Sequence, residues 1–227
     1  MAIREDLEKF FFNFLPQNAA PFDPSVFRDP LAQATQWTPA ARGGANFCTH
    51  RLKKIDYTRL EFRPTFGMVV FCLFFILFGL AFAVLPLGSF YYKQYGGFHW
   101  SMLPMPLFGL FFFLIGVVIF RMSQRPIVFD MKKGGFCKGW AGSGPAGSRK
   151  GEIFVDMGRI RALQILSEDC HGNKSSYHSY ELNLVLDDAS RVNVVDHGDL
   201  RALREDAEAL GRFLGVQVWD PGAAKGA

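Results

Sequence analysis

The sequence predicts a membrane α-helical hairpin joined to a cytoplasmic α+β domain, in which an antiparallel β-sheet or barrel is capped by a C-terminal helix. Three observations predict it. From Pro64 to Tyr92, and again from Gln94 to Phe120, there is no Lys, Arg, Asp or Glu, and only Lys93 separates the two runs. After Phe120 the apolar residues recur at every second position, the period of a half-buried strand. From Asp199 they recur at helical spacing instead. The chain therefore divides into an N-terminal amphipathic helix and Pro-rich connector (1–45), cytoplasmic strands (46–63), a hairpin (64–120, with helices over about 65–87 and 98–120), a cytoplasmic domain (121–220) and a disordered tail (221–227).

Each apolar run supplies roughly 20 residues, which at about 1.5 Å of rise per residue crosses a hydrocarbon layer of about 30 Å. The runs are apolar all round, whereas a core helix of a soluble domain usually keeps a polar stripe. Phe, cheap to place in lipid, contributes 25 of the 227 residues. The start, MAIREDLEKFFFNFLP, carries Glu5, Asp6 and Glu8 where a secretory signal needs positive charge, so the first span is expected to act as its own insertion signal. The loop between the spans holds only Lys93. Arg51, Lys53, Lys54, Arg59 and Arg63 flank one span, and Arg121, Arg125, Lys132 and Lys133 the other. That bias puts both termini in the cytoplasm, with Phe90, Tyr91, Tyr92, Tyr95, Phe98 and Trp100 forming an interfacial belt at the outer loop. Within the spans, Gly79 with Ala83 and Gly109 with Gly116 are candidates for the surface where the two helices meet. The spans' interiors hold no Asp, Glu, Lys, Arg or His, which argues against a proton relay or ion path through one copy.

Residues 1–15 place Ile3, Leu7, Phe10, Phe11 and Phe14 on one helical face, and Pro16 stops the pattern. Gln17 to Gly44, with Pro21, Pro24, Pro30 and Pro39, reads as an extended or turn-rich connector without a stable element of its own. Asn46–His50, Arg51–Ile55 and Thr58–Arg63 read as strand-like, with Leu60 and Phe62 facing one way. After the hairpin, Ile127–Asp130 and Gly135–Trp140 flank a turn at Met131–Gly134. Ala141–Gly151 is a Gly-rich loop, Ile153–Val155 and Ile160–Ser167 are strands, and Asp169–Ser176 reads as a polar loop. Tyr180–Leu186 and Arg191–Val195 form the clearest hairpin, with Leu182, Leu184 and Leu186 on one face. Asp199 is a natural N-cap for a helix bearing Leu200, Leu203, Ala207, Leu210 and Leu214; Gly215 ends it, and Val216–Trp219 can add an edge strand.

The net charge of +4 is not gathered into a Lys/Arg stripe, so no nucleic-acid partner is expected. Cys48, Cys72, Cys137 and Cys170 are scattered without a CxxC pair. Cys170-His171 with His178 falls short of the four ligands a structural zinc needs, so neither metal nor cofactor is expected. Asp196-His197 precedes a helix start, where such residues usually satisfy orphan N–H groups. GSGPAGSRKG lacks the phosphate-loop pattern and no helix follows it. Nothing assembles a nucleophile, a base and an orienting group, so no catalytic residues are assigned and an enzyme is not expected. Lys132, Lys133, Arg149 and Lys150 remain as candidate headgroup or partner contacts, worth roughly 1 kcal/mol each at an anionic surface, against the alternative of solvated turns.

Antiparallel strands followed by one amphipathic helix, Ile127 to Leu214, resemble the pleckstrin-homology-like barrel in the order of elements. The stretch SYELNLVLDDASRVNVVDHGDLRALREDAEALGRFLG is similar to a segment of uncharacterised bacterial two-span inner-membrane proteins. The resemblance implies a bacterial inner-membrane location and supplies no functional residues. One cytoplasmic domain built from both ends of the chain is a further expectation, since Arg63 and Arg121 emerge on the same side. Three functional readings stay open: a protein- or lipid-binding module with an unidentified protein partner, a homo-oligomer assembled through the small residues of the spans, and an immunity-type protein against a membrane-acting toxin.

Overall fold

The computed structural model describes residues 22–40, 44–85, 103–139, 152–171 and 176–224. It separates into two compact units, one comprising the chain up to Phe62 together with Pro126 onward, the other Arg63–Arg125.

The second unit is a helix pair. Helix α2 (Phe66–Val84) starts at Thr65, whose hydroxyl accepts from the Met68 amide at 3.2 Å, and α3 (Pro104–Ser123) carries its prolines in the first turn, where a missing N–H costs nothing. A shorter helix, α1 (Pro30–Ala34), precedes them in the other unit. Of the most apolar windows of α2 and α3 only 17% and 11% of residues are buried. Core helices of soluble proteins bury most of their surface, so these two are helices long and apolar enough to cross a membrane, with Phe74, Leu77, Leu107 and Phe111 all outward-facing.

The first unit is built from two sheets and a helix. Strands β1 (His50–Asp56), β2 (Arg59–Pro64), β3 (Ile127–Asp130), β4 (Gly135–Lys138) and β5 (Ile153–Asp156) form a meander in that spatial order. The β2–β3 register pairs Phe62 with Ile127 and Leu60 with Phe129, so the N-terminal strands join the C-terminal ones in one sheet, with the hairpin inserted between two neighbouring strands. Strands β6 (Ile160–His171), β7 (Ser176–Leu186), β8 (Arg191–His197) and β9 (Gln217–Trp219) form the second sheet in the order β8-β7-β6-β9, with β9 parallel to β6. Helix α4 (Leu200–Leu214) buries Leu203, Ala207 and Leu210 in the core shared with Phe62, Phe129, Phe136, Leu163, Ile165, Leu182 and Leu184. Asp199 caps it through the Ala202 amide, and Gly215 at φ 71° ends it in the left-handed conformation that glycine adopts without penalty. Arg51 and the Leu52 amide both bond the Asp206 carboxylate (3.2 and 3.1 Å), which ties β1 to α4.

Three sequence expectations change. The described residues of the stretch Asp169–Ser176 are strand: β6 continues to His171 and β7 starts at Ser176, because cross-strand pairing extends the ladder past the apolar residues. The tail is not wholly irregular, since α5 (Pro221–Ala224) forms one turn on the Asp220 carboxylate, which accepts from the Gly222 and Ala223 amides and pairs with Arg204 at 2.5 Å. Nor is the Pro-rich stretch a connector. Two of its prolines sit at helix first turns, Pro24 in a 3-10 turn (Pro24–Phe27) and Pro30 in α1, each behind an Asp that caps it, and Ala32 and Thr35 are buried. The predicted helix at 1–15, the outer loop with Lys93 and the Gly-rich loop lie outside the described residues.

Candidate functional site

The small residues of the spans are used within the hairpin. A Cβ on Gly79 would lie 2.2 Å from the Phe113 amide nitrogen, and one on Gly109 would lie 2.3 Å from that of Ala83. Gly116 faces Ile76, whose backbone nitrogen stands 2.8 Å from such a Cβ. The backbones of α2 and α3 are therefore in contact along this seam, flanked by Phe75–Phe112 and Phe82–Phe108 ring pairs at 5.9 and 6.1 Å. Gly79, Ala83, Gly109 and Gly116 line the surface where the two helices meet, and that surface is taken up within the hairpin.

Lys132 and Lys133 lie in the β3–β4 turn and are exposed. The Asp130 carboxylate accepts from both of their amides (2.9 and 3.1 Å), and Gly134 closes the turn at φ 68°. The turn sits beside the one between β1 and β2, where the Met131 amide bonds the Thr58 carbonyl at 2.8 Å and Lys54 stands 4.6 Å from the centre of the Tyr57 ring. Both turns are at the end of β2 and β3 opposite Pro64 and Ile127. Arg149 and Lys150 lie outside the described residues, and the charge of Lys132 acts on Asp56 of the neighbouring turn.

The most elaborate polar arrangement is on the outer face of the second sheet. Alternation along β7 sends Leu182, Leu184 and Leu186 to the main core and Glu181, Asn183 and Val185 to the opposite face. That face is also buried: Glu181, Asn183 and Gln164 are each at most 3% exposed. The cover is formed by residues 22–40 and 44–49. The Gln164 amide donates to the Gln36 carbonyl at 3.0 Å, the Arg191 guanidinium to the Thr38 carbonyl at 2.6 Å, and the Ala40 amide to Glu181 at 2.7 and 3.1 Å. Between these bonds Trp37 packs with Phe22, Phe27 and Trp219 at ring distances of 4.8, 5.4 and 6.0 Å, its indole N–H on the Ala32 carbonyl at 2.8 Å. Farther along, Tyr177 donates to the Gly44 carbonyl, Thr49 to that of Asp196, and the Gly198 amide to that of Phe47.

Glu181 and Asp196 are directly paired across β7 and β8, two acids on one buried face. Burial pushes the Asp196 carboxyl up to about 6, and Glu181 adds to this, against the pull of the Asn193 amide at 2.7 Å and of Lys138. Lys138 bonds the Asn193 side chain and carbonyl at 2.9 and 3.0 Å, linking β4 to β8. The neighbouring His197 ring is fully buried and turns to the main core side, where burial lowers its pKa to about 4. Its Nδ1 accepts from the Asp199 amide at 3.3 Å, the capping role expected of the Asp-His pair. Cys170 faces Tyr177 across β6 and β7 and His178 faces Asp169, so the soft residues are spread along a strand pair.

The sequence does not single out Gln164, Glu181, Asn183, Arg191 or Trp37. The available signal is the aromatic spacing Phe22, Phe27, Trp37 in a stretch otherwise suited to a connector. No family model, curated protein or solved structure matches this chain.

Proposed function

We propose that this is a bacterial inner-membrane protein, both termini cytoplasmic, whose pleckstrin-homology-like domain acts as a tethered binding module for a protein partner or a lipid. The observation that carries it is the β2–β3 pairing: the hairpin leaves and re-enters the domain through adjacent strands, so the domain is held by two short connections and presents its remaining surface for recognition. The element order supports the domain type, with a meander of β1 to β5, a second of β6 to β8, and a helix after them. The Lys/Arg bias of the flanks supports the orientation.

Affinity purification from native membranes in mild detergent, with bound proteins and lipids identified by mass spectrometry, tests the reading. A stoichiometric protein or lipid supports the module. A homo-oligomer free of either overturns it in favour of a self-assembling envelope component, which would use helix surfaces other than the glycine seam. Recovery of a secreted membrane-acting toxin as the bound protein would make the module an immunity protein. Single cysteines in the 86–102 loop and at residue 54, labelled from outside intact cells, test the orientation: only the loop cysteine should react.

A further inference from the structure

The β1–β2 and β3–β4 turns are built as one body, joined by the bond from the Met131 amide to the Thr58 carbonyl. Asp56 closes the first by accepting from the Thr58 amide and hydroxyl (2.7 and 2.8 Å), as Asp130 closes the second on the Lys132 and Lys133 amides. Both acids thus hold main chain, and the lysine side chains are carried on a fixed scaffold. Lys53, Lys54, Lys132 and Lys133 are exposed there, with Asp56 as the exposed acid. Strand β1 is the edge of its sheet, and its first half is tied to α4 through Arg51 and Leu52. From Lys53 to Asp56 every residue is exposed, so both faces of this strand end stand clear of the core. Apolar side chains gather at the same place. Among the described residues the first unit leaves six large apolar side chains exposed, and three of them, Ile55, Tyr57 and Met131, belong to these turns or the strand end leading to them. The Tyr57 ring is 88% exposed, beneath the Lys54 ammonium. Protection of a sheet edge against self-pairing accounts for Lys53 and Lys54. It does not account for Lys132 and Lys133, which are not on that edge, or for the exposed tyrosine. Apolar anchors ringed by charge of one sign suit a partner of the other sign.

We propose that these two turns are a docking surface for an acidic segment of a protein partner, its carboxylates over the four lysines and an apolar side chain against Tyr57 and Met131. The proposal rests on the protein-binding reading above and assigns its surface and the charge of its partner. Charge alone suits anionic headgroups equally. A protein is the better match because the chain joins the helix pair from the other end of β2 and β3, at Pro64 and Ile127. From Arg59 to Pro64 the strand covers about 17 Å at roughly 3.3 Å per residue. That is twice the distance of about 8 Å over which exposed charges act at physiological salt.

The test uses the full chain in phosphatidylcholine nanodiscs, with a fluorescent peptide of alternating acidic and apolar residues (ELEYELELE) as probe, at about 0.15 M salt. Lys132→Glu with Lys133→Glu should weaken binding about tenfold, and adding Lys53→Glu with Lys54→Glu about tenfold again. Tyr57→Ala should weaken it at least threefold. Because Asp130 holds the turn amides and not the lysine side chains, these changes leave the turns closed, and the corresponding Lys→Gln changes should give smaller losses in the same order. Arg201→Glu with Arg212→Glu, which reverses two exposed cations on α4, should leave binding unchanged. Absence of binding to the unaltered chain, or an equal loss from the α4 pair, overturns the site. Displacement of the peptide by vesicles containing phosphatidylglycerol, at a concentration where phosphatidylcholine vesicles do not displace it, reassigns the surface to lipid and overturns the protein partner. Should a protein recovered from native membranes bind the Lys→Glu chain as well as the unaltered one, the surface is wrong while the binding-module reading stands. Should the peptide bind with the expected losses while native membranes yield neither protein nor lipid, the surface stands and that reading fails.

Discussion

His197 and Asp196 are neighbours with opposite titration behaviour, and they oppose each other in the acid response of the domain. His197, buried and held near 4, favours folding in its neutral form, so its contribution is present above the unfolded value of 6.5 and is lost as pH falls through that window. Asp196, held near 6, favours folding in its protonated form, so its contribution is present below the unfolded value of 3.8 and is lost as pH rises to 6. Each shift corresponds to about 3 kcal/mol, and across pH 4 to 6 the two nearly cancel. Asp196→Asn should therefore unmask His197, giving a domain less stable at pH 4.5 than at pH 7 by about 2 kcal/mol in urea unfolding. His197→Gln should reverse the slope. Parallel pH profiles in all three chains would show that neither group carries its shift into stability. At the same scale, Gly109→Leu places a side chain where the Ala83 nitrogen lies 2.3 Å away from a Cβ. It should abolish cross-linking between cysteines placed at 80 and 110, on the outer margins of the seam, whereas Leu107→Ala, on the exposed side, should leave it unchanged.

Among the elements, the stretch 22–40 departs most from its sequence pattern. Its prolines suggest an open connector, yet each described one lies where proline is compatible with a short helix or an extended stretch, and the segment contributes Ala32 and Trp37 to a second apolar cluster with Ala162, Val185 and Trp219. Trp37→Ala, at a half-buried site, should cost about 2 to 3 kcal/mol and raise hydrogen exchange in residues 30–40 before it does so in β6 or β7. Uniform loss of protection would mean that the segment and the sheet unfold as one. The β-strands were more legible. Alternation located β2, β3 and β8 within a residue or two and the C-terminal end of β7, whose start lies four residues before the expected one, since one face of each meets the main core. The same alternation gives no sign that Gln164, Glu181 and Asn183 are buried. Period-2 patterning reports which residues are apolar, and polar residues buried by hydrogen bonding to a distant segment leave no periodic trace.

For the whole molecule, the insertion of the hairpin between β2 and β3 makes a specific demand on any dissection. Residues 121–227 alone would expose the β3 edge and leave Phe129 without Leu60 and Phe62, so they should aggregate or melt without cooperativity. Residues 22–64 joined to 126–224 by a linker of a few glycines should instead give a soluble monomer with a single sharp thermal transition, because the paired Phe62 and Ile127 bring the two ends together. A soluble, cooperative 121–227 fragment would show that the N-terminal strands are dispensable.

Length, hydropathy and Lys/Arg placement were enough to locate two apolar helices, and Gly79, Ala83, Gly109 and Gly116 enough to locate the seam between them, because a helix needs only local spacing to declare its faces. The Asp199 cap and the Leu203, Ala207 and Leu210 stripe marked α4 for the same reason. What required the tertiary structure was every pairing across long separation: β2 with β3 around the hairpin, β9 alongside β6, and residues 36–40 on Gln164, Arg191 and Glu181. Those contacts are chosen by complementarity between segments more than a hundred residues apart in the last case, and neither segment's own periodicity encodes the other.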